Sequence, residues 1–210
     1  LPTPREPSEI RDGRVYSKSG NDVTDAFVRG AEEAIRITTV AAVAACRAIA
    51  ECTDAAPGIK WVNDVYVNGK KVCGILTEAA ISMESGGLDW AVMGIGFNVY
   101  EPEGGFPDEI AQIAGAISEK KHKNLRSRLV AAFLQNFRQM SHHLSDPDIV
   151  EEYRKRSIMK DRRINVVRSN GEQSMPAVAE GIDDECRLIV RYADGTREAL
   201  SSGEVSIRMD

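Results

Sequence analysis

The chain has 210 residues, of which 42% are hydrophobic and 28% are charged, and its formal net charge is −5. This length and composition are typical of a globular protein with one large domain, or with a medium and a small one. The acidic balance, without a long basic block, argues against nucleic acid as the main partner. No apolar run approaches the roughly 20 residues that span a bilayer, so we expect no membrane partner.

The cysteines and histidines favour a reducing compartment and no metal centre. The four cysteines are scattered and form no Cys-x-x-Cys pair; they are Cys46, Cys52, Cys73 and Cys186. Three of them lie in apolar runs, which is typical of buried thiols in a reducing compartment. The first residues show no apolar signal-peptide segment, so we expect a cytoplasmic location. The three histidines lie in a polar connection and near a helix end, where a metal site is not favoured.

Residues 1–30 carry the least regular pattern in the chain. Three prolines within the first seven residues exclude regular structure there. The stretch 11–17, Arg-Asp-Gly-Arg-Val-Tyr-Ser, places two cations around a glycine, which suits either an anion-binding loop or a solvated one. We therefore expect residues 1–30 to be largely irregular. From 31 to 52, an acidic first turn and a surface rich in Ala and Val predict a buried helix.

Residues 60–78 predict a β-hairpin with a polar beginning. Asn68-Gly69 tolerates the positive φ angles of a type I′ turn, and β-branched residues flank it. Ahead of the apolar run stands Lys-Trp-Val-Asn-Asp at 60–64. These polar groups are either exposed strand ends or members of a site, because polar groups entering a core cost free energy unless they are paired or bind something.

The rest of the chain predicts a third strand, three helices and a small β-barrel. The strand covers 88–99 and completes an antiparallel meander, and its glycines 94 and 96 indicate close approach of a ligand or backbone. Apolar spacing predicts helices over 108–119 and 125–144, and Asp146 caps a third, shorter helix. From about residue 158, short β-rich runs with Asn-Gly and Asp-Gly turns predict the barrel. It lacks the aromatic platform that oligonucleotide-binding barrels use.

Together these motifs resemble the signature of biotin protein ligases. The resemblance rests on the stretches 60–64, 69–78, 94–99, 181–183 and 203–207, which occur in the family's order. It implies an α+β fold: a mixed sheet with flanking helices, related to class II aminoacyl-tRNA synthetases, followed by a small SH3-like β-barrel. The implied domains are a catalytic domain, 1–157, whose N-terminal part is incomplete, and the barrel, 158–210.

The resemblance also implies a reaction, that of an ATP-dependent biotin–[acetyl-CoA-carboxylase] ligase. Biotin would be activated by MgATP as biotinyl-5′-AMP and then transferred to a lysine of a biotin carboxyl carrier domain. Biotin, ATP and Mg²⁺ are the expected ligands and the carrier domain is the expected partner, while a homodimer is left open. The first step brings two anions together, so it needs a fixed cation where charge develops.

The site residues follow from the same resemblance. Lys60 is expected to be the catalytic cation, contacting both the biotin carboxyl group and the α-phosphate as a compact point charge. Gly74 and Ile75 would lie against the biotin rings, and Asp64 would position a lysine or bind the metal. The expected nucleotide contacts are Asn63, Gly96, Asn98 and Arg14.

The sequence departs from the family pattern in two places. Val62 stands where the family usually has proline. No Ser-Thr-Asn biotin-contact segment is found, the stretch 11–17 resembles only the tail of the Arg/Gly loop that closes over the adenylate, and the strand expected at 23–31 is shortened. We therefore expect weak binding of biotin and ATP and leakage of the adenylate, since such a loop excludes water.

Two other functions stay open from the sequence. The first is a ligase-like binding protein without catalysis, because its adenylate-binding segment is lost. The second is a lipoate- or octanoate-handling relative, against which the barrel's Gly-Glu-Val-Ser-Ile ending argues. The helix-turn-helix that some family members carry is not found, so we expect no DNA partner.

Overall fold

The structure is a computed structural model that describes residues 10–12, 14–16, 21–22, 24–82, 87–168, 174–201 and 205–209. Its helices and strands in chain order are β1 (Ile10–Arg11), β2 (Arg14–Val15), α1 (Thr24–Cys52), β3 (Gly58–Lys60), β4 (Asp64–Val67), β5 (Lys70–Ile81), β6 (Leu88–Phe97), α2 (Leu125–Ser141), α3 (Pro147–Arg156), β7 (Arg163–Arg168), β8 (Met175–Ile182), β9 (Leu188–Tyr192), β10 (Arg197–Leu200) and β11 (Val205–Met209). The expected α+β class is confirmed.

The central sheet is an antiparallel meander in the order β3-β4-β5-β6. Asn68 and Gly69 join β4 to β5 with φ angles of 51° and 75°, so the predicted hairpin is confirmed. The sequence placed Lys60 on the same strand as Asp64, and this is wrong. Lys60 ends β3, and a turn at 61–63 brings the chain back as β4, so the two residues face each other across neighbouring strands.

Helix α1 covers one face of the central sheet. Residues 40–46 are fully buried, and their small alanines allow the helix to approach the strands closely. The helix also contacts the sheet through a hydrogen bond of 2.8 Å from the Thr38 hydroxyl to the Thr77 hydroxyl. Since side chains alternate along β5, Gly74 and Leu76 point away from α1.

The helix begins at Thr24, which corrects two expectations for the N-terminal region. The carboxylate of Asp22 accepts hydrogen bonds from the backbone N–H and the hydroxyl of Thr24, so it satisfies one of the unpaired donors of the first turn. Residues 24–30 are therefore helical, neither irregular nor a shortened strand. The prolines among the first seven residues lie outside the described residues.

The predicted helix over 108–119 is wrong, because the sheet takes the backbone groups of that segment. Residues 108–113 form turns. The N–H of Lys71 donates to Ile113 O at 2.8 Å, and the N–H of Gly115 donates to Lys71 O at 2.9 Å. Ile117 then donates to Asn98 O at 2.8 Å. Residues 107–114 form short turns with local hydrogen bonds, such as that from Ala111 N to Pro107 O at 2.9 Å, and residues 113–117 then extend the rim of the sheet, so no continuous helix forms.

Helices α2 and α3 lie next to α1. Helix α2 ends at Ser141, three residues before the predicted end at 144, and it buries Leu125, Leu129, Phe133 and Met140. The predicted cap of α3 is confirmed, since the Asp146 carboxylate accepts from Asp148 N at 2.9 Å. No helix in the part of the chain that the structure describes combines the length and the apolar character needed to cross a membrane.

The C-terminal strands form their own antiparallel sheet in the order β10-β9-β8-β7-β11. The β-rich C-terminal unit expected from the sequence is therefore present. Its buried residues, such as Ile164, Leu188 and Val190, belong to the same hydrophobic cluster as those of the central sheet and α1. The predicted turn at 169–172 and the Gly203-Glu204 dipeptide lie outside the described residues.

Candidate active site

The site is built on one row of residues that runs across all four strands of the central sheet. The register pairs Lys60 with Asp64, Asp64 with Gly74, and Gly74 with Gly96. Residues paired across antiparallel strands point to the same face, so this row occupies the face opposite α1. The polar beginning of the hairpin and both glycine-containing strands therefore meet at one place.

The row forms the floor of a cleft of about 770 Å³, a size typical of small-molecule sites. Asn98 continues the floor, and the turns at 108–113 supply a wall with Ile110 and Ile113. These two isoleucines are 45% and 52% exposed, which is unusual for large apolar side chains beside polar ones. The cleft thus combines a charged floor with an apolar wall.

The charge of the cleft comes from two lysines around one carboxylate. The Nζ atom of Lys71 lies 2.5 Å from the Asp64 Oδ1 atom. Burial lowers the pKa of Lys60; the Asp64 carboxylate opposes this shift and the Lys71 ammonium adds to it. Among the described residues that line the cleft, these three carry the formal charges, so their sum is +1 when both lysines are protonated. The arrangement favours an anionic ligand.

The glycines of the row have different surroundings. A Cβ atom at Gly74 would lie 3.2 Å from Lys71 Cε and 3.3 Å from Lys71 Nζ, so a side chain there would push the lysine away from Asp64. A Cβ atom at Gly96 would meet nothing within 4 Å and would point into the cleft. A side chain at position 74 would therefore displace the lysine, whereas the protein's own atoms leave Gly96 free to carry a side chain.

Lys71 is the cleft residue that sequence reasoning missed. Strict alternation from Gly74 would place Lys71 on the opposite face, toward α1. The register instead jumps between Val65 and Tyr66, so that Tyr66 pairs with Lys71 and both lie on the side of Asp64. The two adjacent lysines after the Asn-Gly turn were a signal, but a β-bulge cannot be read from that spacing.

Three of the proposed site residues lie outside the residues that line the cleft. The Asn63 side-chain amide donates to Ile75 O at 2.6 Å, so it ties the 61–63 turn to β5. The Ile75 side chain is 2% exposed and packs in the core beneath the sheet. Arg14 is exposed and pairs with Asp22 at 3.1 Å. The structure thus brings together Lys60, Asp64, Gly74, Gly96 and Asn98.

The residues present do not fit a magnesium ion held by the protein alone. Within the described residues, no group of three or more His, Cys, Asp or Glu side chains could hold a metal ion. Asp64 is the carboxylate of the cleft, and Lys71 already neutralises it. Magnesium sites in nucleotide-binding proteins typically combine one or two carboxylates with substrate phosphates and water.

Comparisons with known proteins agree with this architecture. Residues 8–98 match the family described as biotin/lipoate A/B protein ligase, and residues 161–208 match the biotin protein ligase C terminal domain. The fold is similar to that of a biotin protein ligase from Aquifex aeolicus in complex with biotin and ATP, with a TM-score of 0.65 and 20% identity over 84% of this chain and 72% of that one. The class of protein is therefore a ligase-like α+β fold with a C-terminal β unit.

Sequence relatives narrow the class to one family. The chain is 28% identical to the bifunctional ligase/repressor BirA of Bacillus subtilis over 197 residues, which are 89% of this chain and 59% of that protein. It is 31% identical to a biotin–[acetyl-CoA-carboxylase] ligase of Paracoccus denitrificans over 84% of this chain and 74% of that protein. The chain belongs to the biotin protein ligase family. It spans 59% of the length of the Bacillus subtilis protein and 51% and 52% of the lengths of two further relatives that it matches.

Proposed function

We propose that this chain carries the catalytic site of an ATP-dependent biotin protein ligase. In the proposed reaction a biotin carboxylate oxygen bonds to the α-phosphorus of ATP, the bond to the β-phosphate oxygen breaks, and pyrophosphate leaves. The amine of a carrier-domain lysine then attacks the carbonyl of biotinyl-5′-AMP, and AMP leaves. The observation that carries the proposal is the pair of lysines, Lys60 and Lys71, facing one cleft around Asp64.

The two lysines supply what the first step needs. A carboxylate and a phosphate repel each other, and negative charge grows on the phosphate oxygens as the new bond forms. Ammonium groups fixed in a partly dehydrated cleft counter both effects without reorganising during the reaction. Asp64 holds the ammonium of Lys71 in place through its ion pair at 2.5 Å. We assign this positioning role to Asp64 in preference to metal binding.

The rest of the cleft suits the uncharged parts of the two substrates. Gly96 leaves the floor open, so a ring system can lie directly on its strand, whereas the Lys71 side chain covers Gly74. Ile110 and Ile113 offer an apolar wall for a second ring, and Asn98 adds an amide. We place the nucleotide beside Gly96 and Asn98 and the biotin rings beside Gly74. Asn63 and Ile75 support the floor of the cleft, Asn63 through the turn at 61–63 and Ile75 through the core. Arg14 is assigned no contact with either substrate.

The wider assignments are also proposals. We propose two domains, 1–157 and 158–210, because no described C-terminal strand pairs with the central sheet and α3 ends at Arg156. The proposed partner is a biotin carboxyl carrier domain, with DNA and membranes not required, and a homodimer is left open. A cytoplasmic location is proposed because all four cysteines, which lie in the described part of the chain, are free thiols.

Biotin-dependent exchange between ATP and pyrophosphate tests the proposal. We expect the chain to catalyse exchange with biotin and not with lipoate. Lys60→Ala and Lys71→Ala should each lose about 10²–10³-fold in rate while retaining the fold, because each removes a preorganised charge. Lys121→Ala, which changes an exposed lysine away from the cleft, is the matched control.

The outcomes separate the alternatives. Undiminished exchange in a folded Lys60→Ala protein would remove Lys60 from the chemistry, and the same holds for Lys71. Binding of biotin or ATP by calorimetry, with no exchange and no carrier biotinylation, would identify a binding protein without catalysis. Exchange that depends on lipoate would overturn the biotin assignment.

A further inference from the structure

The turn at 61–63, which joins Lys60 to Asp64, is held by parts of the chain that lie far from it in sequence. The indole N–H of Trp61 donates to the carbonyl oxygen of Cys186 at 2.9 Å. The hydroxyl of Tyr153 on α3 donates to the carbonyl oxygen of Val62 at 3.0 Å. Trp61 is 5% exposed and Tyr153 is fully buried, so water does not compete for either bond.

The partner of Trp61 is itself a tightly bonded turn between β8 and β9. The Asp183 carboxylate accepts hydrogen bonds from the backbone N–H groups of Glu185 and Arg187 at 3.1 and 2.8 Å, and from the Arg187 side chain at 2.7 Å. Cys186 adopts a left-handed φ of 63°, which few non-glycine residues adopt. The carbonyl that receives the indole N–H is therefore fixed by its own turn.

Helix α3 fastens the same turn from a second side. Arg154 donates from Nε to the Ile182 carbonyl oxygen at 2.9 Å and pairs with Asp184 at 2.9 Å. The side chain of Val62 packs on a small buried cluster of Ile35, Val150 and Cys186, which come from α1, α3 and the β8–β9 turn. The backbone and the side chains of residues 61–62 thus rest on three separate elements.

We infer that Trp61 and Tyr153 are positioning residues through which the β8–β9 turn and α3 fix Lys60 opposite Asp64. None of the described residues that line the cleft comes from the C-terminal sheet, so any effect of that sheet on the cleft is indirect, and the turn at 61–63 is one route for it. The inference rests on the proposed function for its kinetic consequence, but its structural consequence can be measured without the reaction. It gives the C-terminal sheet a role in arranging the site, apart from any contact with a ligand.

Two substitutions remove one anchoring hydrogen bond each. Trp61→Phe deletes the indole N–H and keeps an aromatic ring, and Tyr153→Phe deletes only the hydroxyl. Tyr192→Phe is the matched control: it also deletes a tyrosine hydroxyl, which donates to Glu198 at 2.7 Å within the C-terminal sheet. All three are made in the full chain, and the folding of each is checked by circular dichroism and its urea midpoint. If Trp61→Phe does not fold, the inference is tested with Tyr153→Phe alone.

The first readout is amide hydrogen exchange at the turn. The N–H of Ile75 donates to Asn63 O at 3.0 Å, so its protection reports how firmly the turn is held. We expect exchange at Ile75 and at residues 63–66 to rise about 10-fold or more in both anchor variants and to stay unchanged in the control. Equal protection in all three variants would overturn the inference, whatever the catalytic activity of the chain.

The second readout is the kinetics of biotin-dependent ATP–pyrophosphate exchange. Misplaced lysines stabilise the transition state less, so we expect kcat to fall about 10-fold or more while KM for ATP changes less than about threefold. If Tyr192→Phe lost as much kcat as the two anchor variants, general destabilisation would explain the effect and the inference would be overturned. If the wild-type chain shows no exchange but the turn still loosens in the anchor variants, the positioning stands and the proposed function fails.

Discussion

At the residue scale, the absence of a side chain at position 74 lets a charged side chain cross the strand. Lys71 reaches Asp64 over the backbone of Gly74, and a Cβ atom there would come within 3.4 Å of both Cε and Nζ of the lysine, at 3.2 and 3.3 Å. The end of a lysine side chain can move by a few tenths of an ångström at little cost. The ion pair at 2.5 Å, however, depends on its present position.

Gly74→Ala should therefore impair chemistry more than folding. We expect the urea midpoint to change little and the rate of adenylate formation to fall about 10-fold or more, because small displacements of a catalytic group are costly. Gly94→Ala is the control, since its added Cβ would have Leu76 O at 4.0 Å as its nearest neighbour. Full activity of a folded Gly74→Ala protein would show that Lys71 can reach its working position without passing over a bare glycine.

At the element scale, one carboxylate that pairs with two arginines joins α1 to α3, the helix that anchors the turn at 61–63. Glu152 on α3 accepts from Arg47 on α1, with 2.5 Å between Arg47 Nη2 and Glu152 Oε2, and from Arg156 at 2.9 Å. Burial alone would raise the pKa of Glu152, but the hydrogen bonds from both arginines outweigh it and lower the pKa. The carboxylate therefore contributes stability while it is ionised.

Glu152→Gln should cost about 1–2 kcal/mol of unfolding free energy near neutral pH, since it leaves two arginines with a neutral partner. Because the pKa of Glu152 is lowered on folding, its contribution is complete above the ordinary glutamate pKa and is lost as the pH falls through the lowered value. Urea unfolding at several pH values should show wild type and variant converging in acid. Glu151→Gln, whose carboxylate is more exposed, should change stability less than Glu152→Gln, because water screens its pairs with Arg154 and Lys155. A difference that persists unchanged in acid would contradict the ionic explanation.

At the scale of the whole molecule, the two sheets share one core. Buried residues of the central sheet, α3 and the C-terminal sheet form a single hydrophobic cluster. The backbone adds to this link, because the N–H of Ile158 donates to Ile59 O at 2.9 Å just before β7 begins. The division at 157 and 158 that we propose therefore separates sheets rather than independent cores.

We expect the chain to unfold in one cooperative step. Urea unfolding should give coincident transitions by far-ultraviolet circular dichroism, which follows the helices, and by tryptophan fluorescence of a Trp90→Phe protein, in which the remaining Trp61 reports the contact with the β8–β9 turn. Two resolved transitions, with the fluorescence change in only one of them, would show that the C-terminal sheet folds separately.

What the sequence determined was local or carried by strong motifs, and what it missed depended on contacts between distant residues. The Asn-Gly turn, the Asp146 cap and the alternating strands follow from backbone preferences of a few residues, and the motifs at 60–64 and 94–99 located the cleft. The tertiary structure alone decided the rest. A β-bulge turned Lys71 toward Asp64, hydrogen bonds to Lys71 and Asn98 tied residues 113–117 to the rim of the sheet, and the bond from Trp61 to Cys186 joined residues 125 positions apart. Periodicity describes how a segment would fold by itself, and it contains no information on which distant backbone groups will compete for its hydrogen bonds.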